Sequence, residues 1–468
     1  MRTLLLLLLS LSASAQWKPD PVLLRTIDTN LQLACTQYKF LADHTPAGVL
    51  PRSYAGGHWV TSGPGWWTSG FVAGTMLQLY SACPDTALRG DALRLLDLLY
   101  TQQYNKGTHD LGFMMYCSYG TALRVLGGKA FDTVLMNSAR SLATRFRPKV
   151  GCIRSWDHDK WEYPVIIDNM MNLELLLWAS RHSGDTSFRH IAMTHANTTM
   201  RNHYRPDYSS FHVVDYDTVT GAVIGRETAQ GFADSSAWAR GQAWGLYGYT
   251  MMYRGTRDPR YLDQANHIAG YLLRRLPADG VPYWDYDDPA HTYRDASAAA
   301  VMASAFIELS GYVPASLSRR YRLAAETMLR TLSSPVYRAA FGTNGGFLLM
   351  HSVGNMPAHS EIDVPLTYAD YYYVEAMLRY RALAQVHRPQ SKEEMILICN
   401  KFMDGFVKDT YADAFDGIKP YSSIQDVKID TIALTVKREM AGVRPFYGKT
   451  LSAGGSKRPS PAKTRPLN

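Results

Sequence analysis

The chain has 468 residues, of which 46% are hydrophobic, 12% aromatic and 19% charged; that is enough apolar material for a large core and excludes a wholly disordered or fibrous chain. The formal net charge of +8 is unevenly placed, because residues from 386 onward hold 14 Lys plus Arg against 9 Asp plus Glu and the rest of the chain carries only +3, part of it from Arg2. A polyanion-binding surface is therefore not supported, and no nucleic-acid partner is expected.

Reading from the N-terminus, Arg2, the leucine run over 4–9 and Ala13-Ser14-Ala15 form the charged, apolar and small-residue parts of a secretory signal peptide over 1–15, with cleavage after Ala15. Cys35 lies too far beyond that site to carry a lipid anchor, and no later run of ~18 apolar residues would span a membrane. The expected product is exported and soluble, periplasmic or secreted. Cys35, Cys83, Cys117, Cys152 and Cys399 are widely spaced, with no Cys-x-x-Cys pair, and read as buried free thiols rather than a disulfide framework or a zinc site.

Two kinds of helical segment then alternate. One is amphipathic: Leu88, Ala92, Leu95, Leu96 and Leu99 mark one such face, and Leu262, Ala265, Ala269, Leu272, Leu273 and Leu276 another. The other is apolar or small nearly all round, as over 170–179, 237–252, 296–309 and 368–380, and needs protein on every side. Amphipathic stretches begin near residues 22, 86, 130, 185, 258 and 316; apolar ones begin near 66, 110, 166, 236, 294 and 366. Strict alternation with a period of roughly 50 to 60 residues predicts an all-α chain, an (α/α)6 barrel over 16–385 with six inner helices wrapped by six outer ones. A superhelical array of helix pairs would satisfy the same alternation. The long connections over 205–235 and 334–365, and Tyr283-Trp284-Asp285-Tyr286, would cover one rim. Beyond Gln385 the pattern stops: 386–468 form an unassigned C-terminal extension, Lys-, Arg-, Pro- and Ser-rich and expected to be disordered at its end, and either an appended domain or a non-native addition.

Inner helices that all run the same way bring their N-termini to one rim, so polar residues opening different helices converge. Asp110 opens the second inner helix and Asp168 the third, and two carboxylates facing one pocket make a proton donor and acceptor suited to cleaving or hydrating a sugar ring. Each could instead simply cap its helix. Arg240 lies in the first turn of an apolar helix, where a guanidinium suits a carboxylate-bearing ligand or a buried ion pair with one of the aspartates. Trp66, Trp67, Trp156, Trp161, Trp238 and Trp244 fall near the rim and offer indole faces to sugars or to the core. His109 and His212 could hold a carboxylate or hydroxyl, or be structural. No His-x-x-x-His, His-Glu-x-x-His, Gly-x-x-x-x-Gly-Lys or Gly-x-Ser-x-Gly pattern occurs, so neither a metal nor another cofactor is called for.

Several ordered motifs resemble one family, the unsaturated glucuronyl hydrolases of glycoside hydrolase family 88. They are Trp67-Thr68-Ser69-Gly70-Phe71, His109-Asp110-Leu111-Gly112-Phe113, Ile167-Asp168-Asn169-Met170-Met171-Asn172, Trp238-Ala239-Arg240-Gly241-Gln242-Ala243-Trp244, and His351-Ser352-Val353-Gly354 with Asp363-Val364-Pro365-Leu366. The resemblance covers roughly 20 to 385 and implies an (α/α)6 barrel. It further implies a metal-free, exo-acting enzyme that removes the unsaturated uronic acid left on oligosaccharides by polysaccharide lyases, starting with hydration of the ring's vinyl ether. By the same resemblance Asp168 matches the catalytic acid/base and Asp110 the second essential aspartate. His212, Gln230, Arg240 and Trp244 match substrate-site residues, with Arg240 near the uronate carboxylate; Trp156 matches a stacking residue, and Trp67 aligns more loosely. His109, beside Asp110 in the sequence, joins them as a substrate-binding candidate. The unsaturated rhamnogalacturonyl hydrolases are the nearest rival, against which Gln242 speaks. An ordinary inverting glycosidase and a non-catalytic secreted glycan-binding protein are the others. The particular glycosaminoglycan and the oligomeric state are not written in the residues.

Overall fold

The structure, a computed structural model, describes residues 17–384; the expected leader over 1–15 and the extension over 386–468 lie outside the described residues. In chain order the helices are α1 Pro21–His44, α2 Phe71–Ala82, α3 Thr86–Leu99, α4 Thr121–Leu126, α5 Lys129–Ala143, α6 Leu173–Ser183, α7 Thr186–Asn202, α8 Ala239–Thr256, α9 Pro259–Arg275, α10 Ala296–Leu309, α11 Ala315–Leu332 and α12 Thr367–Ala384. The odd-numbered helices are outer and the even-numbered inner, with starts close to those expected. Inner helices bury nearly every residue: in α8 the whole run over 239–252 is buried, and in α10 every residue but Glu308. Outer α9 buries only the face of Tyr261, Gln264, Ala265, Ile268, Ala269, Tyr271 and Leu272. That asymmetry is the period-3.6 pattern expressed in space.

What separates a barrel from an open array is closure. Along the inner ring α2 meets α4 and the segment over Gly112–Gly120 that leads into it, that segment meets α6, and α6, α8, α10 and α12 pack in succession; α12 in turn packs against α2. An array would leave its first and last inner helices apart.

The two rims are unequal. Turns from inner to outer helices are short (83–85, 127–128, 184–185, 257–258 and 310–314), and three of them supply a side-chain N-cap to the next outer helix: Asp85 to Ala87, Asp185 to Ser187 and Asp258 to Arg260. Connections from outer to inner helices are long and hold every strand among the described residues: β1 Leu50–Ala55, β2 His58–Ser62, β3 Phe146–Arg147, β4 Cys152–Ile153, β5 Pro164–Ile166, β6 Val213–Tyr216, β7 Val223–Glu227, β8 Ser352–Asn355 and β9 Ser360–Val364. The sheet β5-β6-β7 roofs a small second core of Val150, Cys152, Tyr163, Val165, Val214 and Tyr216.

Two inner helices depart from a plain α-helix at the point where chemistry was expected. The second opens as a π-helix over Gly112–Gly120, and the third with a 3-10 segment over Ile167–Asn172. They cross at Gly112, where a Cβ would lie 2.4 Å from the Asn172 Cα, and Asn172 Oδ1 accepts the Phe113 amide at 2.9 Å. Only glycine permits that approach, and single-residue periodicity cannot show it. The first inner helix starts at Phe71 rather than near 66, and Gly70 just before it touches the same π-helix: a Cβ there would lie 2.1 Å from the Met114 carbonyl oxygen.

An ionic network ties four inner helices together, joining the C-terminal parts of α8, α10 and α12 to the first turn of α6. Arg254 bridges Glu174 and Glu308, each at 2.6 Å, and Arg379 reaches Glu308 at 2.7 Å. Burial alone would raise the Glu308 carboxyl, but Arg254 and Arg379 outweigh it and hold the group below its ordinary value. Arg254→Ala leaves two carboxylates without their shared partner and is expected to cost about 3 kcal/mol in chemical denaturation. The stability that Glu308 supplies is present above pH of about 4.5 and falls as the pH drops below it, and the Arg254→Ala variant should show a weaker acid dependence, with Arg379 still facing Glu308.

Candidate active site

The register of a small sheet sets the site. Pairing of Ile166 with Val213 in β5-β6, continued by the Ile167 amide donating to the His212 carbonyl at 3.0 Å, puts Asp168 and His212 side by side. His212 Nε2 lies 3.7 Å from Asp168 Oδ2. The other ring nitrogen, Nδ1, accepts from the amides of Ala229 (3.1 Å) and Gln230 (3.2 Å). A nitrogen that accepts two amide protons carries none itself, so the neutral ring bears its proton on Nε2 and presents it to Asp168. Burial, then the charge of Arg240, pushes His212 down to about 3, which keeps the ring neutral.

His109 is locked the other way. Its Nδ1 lies 2.8 Å from the Ser155 carbonyl oxygen, which can only accept, so the proton sits on Nδ1 and the lone pair of Nε2 faces Asp110 Oδ1 at 3.2 Å. Burial pushes this ring down to about 3 as well. Ser155 is fixed in turn by β5: its amide donates to Pro164 and its hydroxyl accepts from Ile166. One carboxyl therefore faces an N–H donor and the other a lone pair.

Both carboxyls are displaced far from the ordinary carboxylate range. Burial pushes Asp168 up to about 7; the charge of Arg240 opposes the rise, that of Asp110 adds to it, and the Trp244 indole N–H opposes it. Burial likewise pushes Asp110 up to about 7 against the hydrogen bond from Thr108, the nearby Asn172 side chain and the charge of Arg145. Desolvation is thus the main force and the mutual charge of the pair a smaller one. Neither carboxylate accepts a downstream amide of its helix, as Asp85 does from Ala87 and Leu88 and Asp295 does from Ser297, so the capping alternative does not describe them.

Arg240 is where sequence reasoning and structure part. Its guanidinium is buried, donating to the carbonyls of Val353 and Gly354 (2.6 Å) in β8, and to Gln230 Oε1 at 3.4 Å. Its ion-pair partner is Asp295, at 3.5 Å, and not Asp110 or Asp168. The ring of Trp238 lies beneath it at 4.5 Å and that of Tyr368 at 5.2 Å. Arg240 thus braces the β8-β9 hairpin and brings a positive charge to the site, while its buried Nε–H has no partner among the described residues. Asp295, missed in the sequence, caps α10 through Ser297 while pairing Arg240; an unpaired arginine in an apolar helix was the signal for it.

The expected tryptophans divide. Trp244 is fully buried against Phe113 (5.1 Å) and Tyr372 (5.5 Å) and forms the floor, and Trp238 is buried beside His212. Trp67 is half-buried against Tyr368 at 4.9 Å, and Trp156 is half-buried, edge-on to His212 at 5.9 Å and next to Trp161 at 5.4 Å. Gln242 is fully buried, accepting the Ser210 amide and donating to the Tyr208 carbonyl, so it holds the loop that delivers His212.

No protein-family model matches the chain. A curated relative, the unsaturated glucuronyl hydrolase of Formosa agariphila, is 46% identical over 324 residues, which are 68% of this chain and 80% of the relative. The chain belongs to the unsaturated glucuronyl hydrolases. It is accordingly a glycoside hydrolase, as the motifs around Asp110, Asp168 and Arg240 implied. The unsaturated chondroitin disaccharide hydrolase of Streptococcus pneumoniae is 33% identical over 67% of this chain and 81% of its own length. The crystal structure of an unsaturated glucuronyl hydrolase specific for heparin superposes with a TM-score of 0.76 at 47% identity, covering 77% of this chain and 98% of that one. The α/α barrel of this family is the fold described above.

Two carboxyls on one rim are pushed up to about 7 by burial, and the charge of Asp110 adds to the rise at Asp168. The pH profile of kcat/KM is expected to be bell-shaped about neutrality. Asp168 is faced by His212, Arg240, Asp110 and Trp244; removing the His212 donor by His212→Ala destabilises the carboxylate, so the alkaline limb should move to higher pH. An unmoved limb would mean that His212 does not act on Asp168.

Proposed function

We propose that this hydrolase removes a 4,5-unsaturated uronic acid from the non-reducing end of lyase-generated, glycosaminoglycan-type oligosaccharides by hydrating the vinyl ether of that ring. The observation that carries the reading is the Asp168–Asp110 pair, two desolvated carboxyls near 7 backed by histidines of opposite tautomer. Relatives that act on chondroitin disaccharides and on heparin support the substrate class.

The steps follow from the proton inventory. Asp168, protonated at neutral pH by virtue of its burial, gives its proton to C4, and positive charge develops at C5 beside the ring oxygen. The resulting carboxylate is the form that the His212 Nε2–H stabilises, and it takes a proton from the water that adds at C5. The hemiketal so formed opens, the glycosidic carbon becomes an aldehyde and the remaining sugar leaves. Asp110, whose proton is favoured by the His109 lone pair, holds a hydroxyl of the unsaturated ring and keeps the second charge out of the pocket. Every proton is carried by a side chain or by water, so the sequence closes without a cofactor. Trp156 offers a stacking face beside His212, and Trp67, Gln230 and Trp244 complete the walls and floor. Residues 1–15 support export, so that the oligosaccharide would be met in the periplasm or outside the cell.

The test is turnover of lyase-generated unsaturated disaccharides, followed by loss of the ultraviolet absorbance of the conjugated double bond. Wild type should consume glycosaminoglycan disaccharides, and folded Asp168→Asn should be slower by roughly 100- to 10,000-fold. Consumption of only the rhamnogalacturonan product would move the substrate to pectin, and unchanged turnover in Asp168→Asn would remove Asp168 from the chemistry.

A further inference from the structure

Outside the active site, one pair of nucleophilic side chains is placed for chemistry that the hydrolase reading does not use. Cys35 lies on the buried face of α1, and Cys83 follows the last residue of α2. The Cys35 thiol donates to the carbonyl of Leu79 at 3.8 Å, and that same oxygen accepts the backbone N–H of Cys83 at 2.8 Å. The arrangement is reciprocal: the Cys83 thiol donates to the carbonyl of Leu31, one helical turn before Cys35, also at 3.8 Å. Each sulfur thus sits over the turn that carries the other, and burial together with the neighbouring Cys83 thiol raises the Cys35 thiol well above its ordinary value. Cys117 and Cys152 have no such counterpart among the described residues: the first lies inside the inner ring, the second under the β5-β6-β7 sheet.

We propose that Cys35 and Cys83 form a disulfide that fastens the first outer helix to the first inner helix once the chain reaches an oxidising compartment. It rests on the export reading of residues 1–15 and not on the catalytic one, since neither sulfur is part of the site. The partial exposure of Cys83 gives an entry point, whereas Cys35 is 7% exposed. The Cys83 thiolate attacks a small-molecule disulfide or the disulfide of an oxidoreductase, forming a mixed disulfide and expelling one thiolate. Cys35 then loses its proton and attacks the Cys83 sulfur, expelling the second thiolate. Two protein thiols are oxidised, one external disulfide is reduced to two thiols, and the protons pass to solvent. The bond closes a long loop across the seam between α1 and α2, where shortening the reach of the unfolded chain has most effect.

The experiment equilibrates the purified full-length chain with oxidised glutathione, alkylates it under denaturing conditions and maps the peptides. A linked Cys35–Cys83 peptide is expected, with a Tm roughly 4 to 8 °C above that of the reduced protein, a difference that vanishes in Cys83→Ser while hydrolase activity stays unchanged. Recovery of Cys35 as the alkylated thiol, or glutathione retained on Cys83, would overturn the proposal. So would pairing of either sulfur with Cys399. Because folding of Cys83→Ser is reported by its own activity, failure of the disulfide and failure of the hydrolase reading give different results.

Discussion

Desolvation of two carboxyl groups is the constraint on which the rest of the molecule turns. Asp110 and Asp168 reach values near 7 chiefly because water is kept from them, and that exclusion exists only because the inner ring is closed, with α12 against α2. A ring open at that seam would wet the N-terminal rim and return both groups toward the carboxylate range near 4. The same burial opposes stability. A carboxyl raised from about 4 to about 7 weakens the folded state as the pH climbs through that window, by up to roughly 4 kcal/mol for each independent group. The ionic network of Arg254 and Arg379 and the densely packed apolar ring offset that cost away from the chemistry.

Within the pocket, control of the proton comes from backbone atoms one step removed. Two amides fix the tautomer of His212 and one carbonyl fixes that of His109, so histidines that cannot charge in this environment still direct where a proton rests. Loops make this possible because their amides and carbonyls are not committed to a helix, and the longer loops all lie on this rim. Gln242 and Ser155 hold those loops in turn. Both are buried, and both act on the site through the loops they hold.

Much of the architecture was legible because inner and outer helices differ in a property that the sequence writes directly: α8 and α10 are apolar on all sides, and α9 on one. Asp110 and Asp168 were legible because each stands at the opening of such a helix. What the sequence withheld depends on contacts between distant segments. The π-helix exists to let Gly112 pass Asn172, Arg240 is spent on carbonyls more than a hundred residues away, and Asp295 is recognisable only once its partner is known. Closure of the ring belongs to the same class, since alternation alone fits both a barrel and an open array. The resemblance to the unsaturated glucuronyl hydrolases supplied roles for residues, whereas geometry supplied the ion-pair partner of Arg240.

The central claim is that Asp168 delivers a proton to C4 of an unsaturated ring, and running the reaction in heavy water tests it most directly. If hydration is the chemistry, the released uronic acid product should carry one deuterium at C4, and Asp168→Asn should remove that label and the turnover together. A product free of deuterium at C4, with its double bond intact and only the glycosidic bond cleaved, would contradict the account and point to an ordinary glycosidase in the same barrel.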